Sequence, residues 1–248
     1  MSVMMIALSG CQTSAKTGGF TSYDEHYQKN ETTLKEDALS DRWESRGSKV
    51  AVVSKEKADN NDYPEAKEVL LVNNTKNKVI VSQKVFDQAY PASTTKIMTA
   101  YVALKYGNLD DIVTASERAT DFAEDEQVCG LQAGDQLSLR DLLNGLLLYS
   151  GNDCAVAIAE HVSGSVEAFV DKMNEEARNL GATGTHFVNP HGLQNEDHYT
   201  TAYDLYLMFN ACLQNPQFVE MISQTSYTAN LTSASGVPVS YTHLTAAD

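Results

Sequence analysis

One long run of helical patterning, flanked by strands, constrains this chain most. From Ser93 to about residue 223, apolar positions recur at helical spacing between residues that open and close helices. The expected helices run 93–106, 138–148, 152–162, 165–180, 201–213 and 216–222. Ser138 is followed three residues on by Asp141, and Thr201 by Asp204, each close to a capping box. Ser165 suits an N-cap, and Gly181 suits the residue that closes the helix ending at Leu180. Ahead of the block, Val69-Leu70-Leu71-Val72, the turn cluster Asn73–Asn77 and Lys78-Val79-Ile80-Val81 read as a β-hairpin. Behind it, residues 225–232 turn strand-like. This order predicts an α+β fold with a helical block packed on an antiparallel sheet, the sheet being incomplete within this chain.

Charge removes several classes of function. The 248 residues carry 18 Lys+Arg against 33 Asp+Glu, a net charge of −15. A nucleic-acid binder needs a basic face, and attachment to anionic lipid needs a polybasic patch. At 42% hydrophobic residues the chain can still bury a sizeable core. No apolar run approaches the roughly 18–20 residues that span a bilayer.

The two ends read differently from the middle. Leu8-Ser9-Gly10-Cys11 resembles the lipobox of bacterial lipoproteins, which implies a signal remnant over 1–11 and lipidation at Cys11. Export to the outer face of the bacterial cytoplasmic membrane would follow. Residues 12–62 are polar and weakly patterned, as in a flexible tether, with a short helix near 34–46 carrying Trp43 and a short strand at 50–53 as possible exceptions. Clear order is expected over 63–238. The cysteines Cys11, Cys129, Cys154 and Cys212 are widely spaced with no C-x-x-C pair, which argues against a zinc site. With Cys11 lipidated, at most one disulfide could form among the other three, and buried free thiols are the simpler state for at least one of them.

Chemistry concentrates in two segments. In Tyr90-Pro91-Ala92-Ser93-Thr94-Thr95-Lys96, Pro91 disfavours helix before it, so Ser93 sits near a helix N-terminus with Lys96 one turn on. A serine hydroxyl needs a base to become a nucleophile. A lysine can be that base once burial or a nearby cation lowers its pKa. In the second segment, an apolar helix end runs into Ser150-Gly151-Asn152-Asp153. Ser150 could relay a proton there, and the Asn152 amide could bind a substrate amide.

Together these segments resemble the serine D-alanyl-D-alanine carboxypeptidases, the low-molecular-mass penicillin-binding proteins. Ser93-Thr94-Thr95-Lys96 is similar to their Ser-x-x-Lys motif and Ser150-Gly151-Asn152 to their second motif. Supporting context comes from Gly134-Asp135 and Phe187-Val188-Asn189-Pro190-His191-Gly192-Leu193. The resemblance implies a β-lactamase/transpeptidase-like fold and a two-step acyl transfer on peptidoglycan stem peptides. Ser93 would be the nucleophile, Lys96 its base and Ser150 a proton shuttle, with Asn152 and Gly151 binding substrate. β-Lactams would acylate Ser93, and no cofactor or metal is implied. His191 is expected to be a hydrogen-bonded loop residue rather than a base.

The family's third motif, Lys-Thr-Gly, does not follow Ser150. Its one copy, Lys16-Thr17-Gly18, precedes the nucleophile and is expected to be coincidental. The working motif is expected beyond Asp248, so a C-terminally truncated, inactive fragment is anticipated. Val239–Leu244 resembles a translated sequencing adapter, which predicts a non-native tail over 239–248. Two other readings are a class A-like β-lactamase, against which Gly151 replaces the Asp of Ser-Asp-Asn, and a non-catalytic membrane-tethered wall-binding protein. Glu175 and Asn179 share the lactamase Glu-x-x-x-Asn spacing but fall inside an expected helix.

Overall fold

The computed structural model describes residues 3–8, 50–53, 63 and 65–244. Cys11, Lys16-Thr17-Gly18, Trp43 and the helix expected around it lie outside the described residues. The chain divides into two compact units, Met1–Ala89 with Thr201–Tyr203 and Tyr90–Thr200 with Asp204–Asp248.

The first unit holds a three-stranded antiparallel sheet in the order β1 (Val3–Leu8), β2 (Glu68–Asn73), β3 (Lys78–Gln83). The last two strands are the expected hairpin. Their register slips between Leu71, opposite Val81, and Val72, opposite Val79. Ile80 is thus the extra residue of a bulge and is 53% exposed. β1 falls in the stretch read as a signal remnant. Ala51 and Val53 are buried, and the Ala51 carbonyl accepts from the Tyr203 hydroxyl at 3.2 Å. Residues 50–53 belong to neither sheet.

The second unit carries α1 (Lys96–Tyr106), α2 (Leu139–Leu148), α3 (Asn152–Ser163), α4 (Val166–Asn179), α5 (Ala202–Cys212, from Asp204 on) and α6 (Pro216–Ile222). Its sheet is antiparallel in the order β4 (Ile112–Thr114), β5 (Gln136–Ser138), β6 (Ser226–Thr232), β7 (Pro238–Leu244). Helix α2 packs against β5, β6 and β7, giving the expected helix-on-sheet layering. β7 occupies most of the segment set apart as a tail. Strands β4 and β5 were not expected.

Capping explains the helix limits. The Ser138 hydroxyl accepts from the Asp141 amide while the Asp141 carboxylate takes the Ser138 amide, a complete capping box. The Ser165 hydroxyl accepts from the Ala168 amide at 3.1 Å. Gly164 and Gly181, with φ of 79° and 83°, supply left-handed turns after α3 and α4. Helix α3 is buried on all sides from Asn152 to Ala159 and packs against α1, α2 and α4. It is the central helix of the unit, and its first turn carries Asn152 and Asp153. No helix among the described residues is long and apolar enough to cross a membrane.

Candidate active site

The nucleophile segment departs from expectation in one respect. Ala92–Thr95 is a 3₁₀ turn, and the α-helix begins only at Lys96. The difference favours chemistry, because a 3₁₀ turn stacks residues i and i+3 on one line. Ser93 is exposed and Lys96 is 3% exposed, with Nζ 3.3 Å from Ser93 Oγ. The turn is entered through Ala92 at φ 47°, a left-handed conformation that a side chain disfavours.

Lys96 Nζ also donates to Asn152 Oδ1 at 2.7 Å and to the His191 carbonyl at 2.8 Å. Burial lowers its pKa to about 8, against the opposing pull of Cys154, Asp153 and Cys129. The amine is therefore held by oxygens from two other segments, with a pKa low enough that an uncharged fraction exists near pH 8.

Asn152 is placed by the turn before it. Ser150 takes a left-handed φ of 63°, and the Gly151 amide returns to the Gly145 carbonyl at 3.2 Å. Gly151 is required by space: a Cβ there would lie 2.6 Å from Cys129 Sγ and 2.8 Å from Asp153 Oδ1. An Asp in this position, as in Ser-Asp-Asn, would not fit without displacing both. Ser150 is half-buried and makes no hydrogen bond to Ser93 or Lys96 among the described residues.

The sequence pattern assigns no role to Asp153, which follows Asn152 in the first turn of α3. Its buried carboxylate accepts four backbone amides: Cys129 and Cys154 on Oδ1 at 2.9 and 2.8 Å, Gly130 and Leu131 on Oδ2 at 2.8 and 3.0 Å. The Asn152 amide donates to the Gln127 carbonyl at 2.8 Å. The loop 127–131 is thus strapped to the start of α3.

A third segment completes the cradle. Asn189 Oδ1 accepts from the Gly192 amide at 2.6 Å and Asn189 Nδ2 donates to the Leu193 carbonyl at 2.9 Å, folding a tight loop. Gly192 has φ 92°, and a Cβ on it would lie 1.9 Å from the Ala92 carbonyl oxygen. Only glycine lets this loop lie against the nucleophile turn. Thr99 Oγ1 donates to the Pro190 carbonyl at 2.6 Å. His198 Nδ1 accepts from the Val188 amide at 3.1 Å, so the ring proton sits on Nε2 and donates to Thr95 Oγ1 at 2.8 Å. Burial lowers both His191 and His198 to about 4. The His191 ring accepts from the Leu193 amide at 3.2 Å, the expected loop histidine, and its contribution to Lys96 is its carbonyl. His161 pairs with Asp111, and His186 contacts the Asp197 carbonyl, both away from this cluster. Glu175 and Asn179 are exposed residues of α4.

An exposed serine beside a buried lysine at a turn entering a helix, with a central helix and an antiparallel sheet, defines the β-lactamase/transpeptidase fold. The chain belongs to the D-alanyl-D-alanine carboxypeptidase family, whose model matches residues 54–242. It is similar to the D-alanyl-D-alanine carboxypeptidase DacF of Bacillus subtilis, 39% identical over 155 residues, which cover 60% of this chain and 39% of that protein. DacD of Escherichia coli is 36% identical over 173 residues, 65% of this chain and 44% of that one. The chain thus spans less than half the length of these curated relatives. Among solved structures, the Streptomyces K15 DD-transpeptidase aligns with a TM-score of 0.67 at 32% identity, covering 70% of this chain and 71% of that one. The D-alanyl-D-alanine carboxypeptidase of Mycobacterium tuberculosis aligns at 0.65 and 31%, covering 73% and 66%.

Proposed function

We propose that the protein, expressed from its native gene, is a serine-type D-alanyl-D-alanine carboxypeptidase acting on peptidoglycan stem pentapeptides. One observation carries the reading: Lys96 Nζ, buried and with its pKa lowered to about 8, stands 3.3 Å from an exposed serine hydroxyl. Ser93 Oγ attacks the carbonyl between the two terminal D-alanines and passes its proton to Lys96. The C–N bond breaks, the leaving amine takes up a proton relayed through Ser150, and an ester forms on Ser93. Water then attacks the ester and frees the tetrapeptide. Asn152 holds Lys96 through Oδ1, leaving Nδ2 to bind the substrate amide. The Ser93 backbone N–H serves as an oxyanion donor, worth about 3 kcal/mol in such sites. Penicillins, which mimic the D-Ala-D-Ala end, acylate the same oxygen.

The test is release of D-alanine from a synthetic stem pentapeptide. The reading requires release by the parent protein and none by Ser93→Ala. No release by either favours the wall-binding reading, and rapid penicillin turnover without release favours a lactamase. Lipid attachment at Cys11, on the outer face of the membrane, belongs to the same proposal. It is supported by Leu8-Ser9-Gly10-Cys11 and tested by fatty-acid incorporation that Cys11→Ser removes.

A further inference from the structure

We propose that Cys129 and Cys154 form a dithiol–disulfide pair that, when oxidised, cross-links the loop 127–131 to the first turn of α3. The thiols of Cys129 and Cys154 and the Asp153 carboxylate lie within 4.8 Å of one another. The sulfurs converge on the space left by Gly151, whose Cβ would come within 2.6 Å of Cys129 Sγ and 3.2 Å of Cys154 Sγ. The two backbones are already side by side, because both cysteine amides donate to the same oxygen, Asp153 Oδ1, at 2.9 and 2.8 Å. A disulfide needs such an approach, with Cα atoms about 4.4–6.8 Å apart. The sulfurs, within 4.8 Å of each other, would approach bonding distance by rotation about the Cα–Cβ bonds.

A metal ion is the competing occupant of a Cys-Asp-Cys trio. The carboxylate argues against it, since both Asp153 oxygens are engaged by the four amides, and a metal would have to displace them. The thiols are engaged chiefly with each other, the Cys154 thiol hydrogen-bonding to the Cys129 sulfur and also to Asp153. Their accessibility also differs in a useful way, Cys129 being half-buried and Cys154 1% exposed.

The oxidant is a low-molecular-mass disulfide. The Cys129 thiolate attacks one of its sulfurs, releasing one thiol and leaving a mixed disulfide on Cys129. The Cys154 sulfur then attacks Cys129 Sγ, releasing the second thiol. Two protein thiols lose two electrons and two protons, which the reduced small disulfide carries away as two thiols. Cys212 is buried in another part of the unit, with its Sγ against the Ile97 carbonyl at 3.5 Å, and stays reduced as an internal control. The bond would fix the strap across Gly151, in the turn that carries Ser150 and Asn152. The proposal rests on geometry alone and stands apart from the catalytic reading.

The experiment uses the protein from its native gene, reduced and then equilibrated with oxidised glutathione. Non-reducing peptide mapping should find the Cys129 peptide joined to the Cys154 peptide. Tm should rise by about 5–10 °C, reversibly with dithiothreitol, because closing the loop restricts the unfolded chain. Cys129→Ser and Cys154→Ser should each abolish that rise. Glutathione adducts or free thiols persisting on both cysteines, or a link from either to Cys212, would overturn the proposal. So would a Tm unchanged by formation of the bond.

Discussion

At Lys96, loss of water and gain of oxygen partners act on the same ammonium. Burial wins and holds the pKa at about 8, from 10.5 for a free lysine. The folded state therefore binds fewer protons than the unfolded one between those values. Stability contributed by this group rises with pH across that window, and below pH 8 the charged amine is a cost. In the proposed mechanism the neutral amine is the base, so the acylation rate of Ser93 by penicillin should climb with a midpoint near pH 8 and level off above it. A rate flat from about pH 6 to 10 would remove Lys96 as the base. Gly192 is constrained equally tightly, by φ 92° and by the Ala92 carbonyl 1.9 Å from the place of a Cβ. Gly192→Ala should cost about 3 kcal/mol in denaturant unfolding and slow acylation, since the loop must withdraw the His191 carbonyl from Lys96. Wild-type stability in that variant would show that the loop can yield.

Among the elements, the long helices were legible because each announces its ends. Ser138 with Asp141, Ser165, and Gly181 mark boundaries that the structure keeps within one or two residues. Strands β4 and β5 escaped because three residues hold too few alternations to show a period. The short 3₁₀ turn at Ser93 escaped for a similar reason, since i,i+3 spacing reads alike in both helix types. In the site, Ser93, Lys96 and Asn152 were legible as motifs. The roles of Asp153, Asn189 and His198 were not, because His198 meets Thr95 across 103 positions and Asp153 meets Cys129 across 24. No local spacing records such pairings. The capping box gives an element-scale prediction: Ser138→Ala should lose about 1 kcal/mol, a Tm drop of roughly 2–4 °C, without changing the acylation rate. An unchanged Tm would mean that the N-terminus of α2 is held by the sheet alone. Lys105 and Tyr106 at the end of α1 both donate to Glu176 of α4 at 2.6 Å, so a second helix pair is tied at the opposite end of α1 from Ser93.

Across the whole molecule, buried neutral groups set the response to acid. His191 and His198 fall to about 4 from 6.5, chiefly by burial, so the unfolded chain takes up protons that the folded one refuses. Glu176 adds to this: burial raises its pKa, but the bonds from Lys105 and Tyr106 leave it lowered overall. The two histidine shifts make stability fall as pH drops from 6.5 toward 4, and the Glu176 shift adds a further loss below 4.5. Tm measured over that range should decline steadily, and His198→Gln should flatten the decline; a Tm independent of pH there would contradict the buried-histidine account. What the molecule organises is one exposed hydroxyl against one buried amine, held by the α3 turn and the Asn189–Gly192 loop. The most direct measurement is intact-mass and peptide analysis of the protein from its native gene after exposure to benzylpenicillin. The account predicts a single penicilloyl adduct on Ser93, lost in Ser93→Ala and formed far more slowly in Lys96→Ala. An adduct on any other residue, or normal acylation of Lys96→Ala, would contradict it.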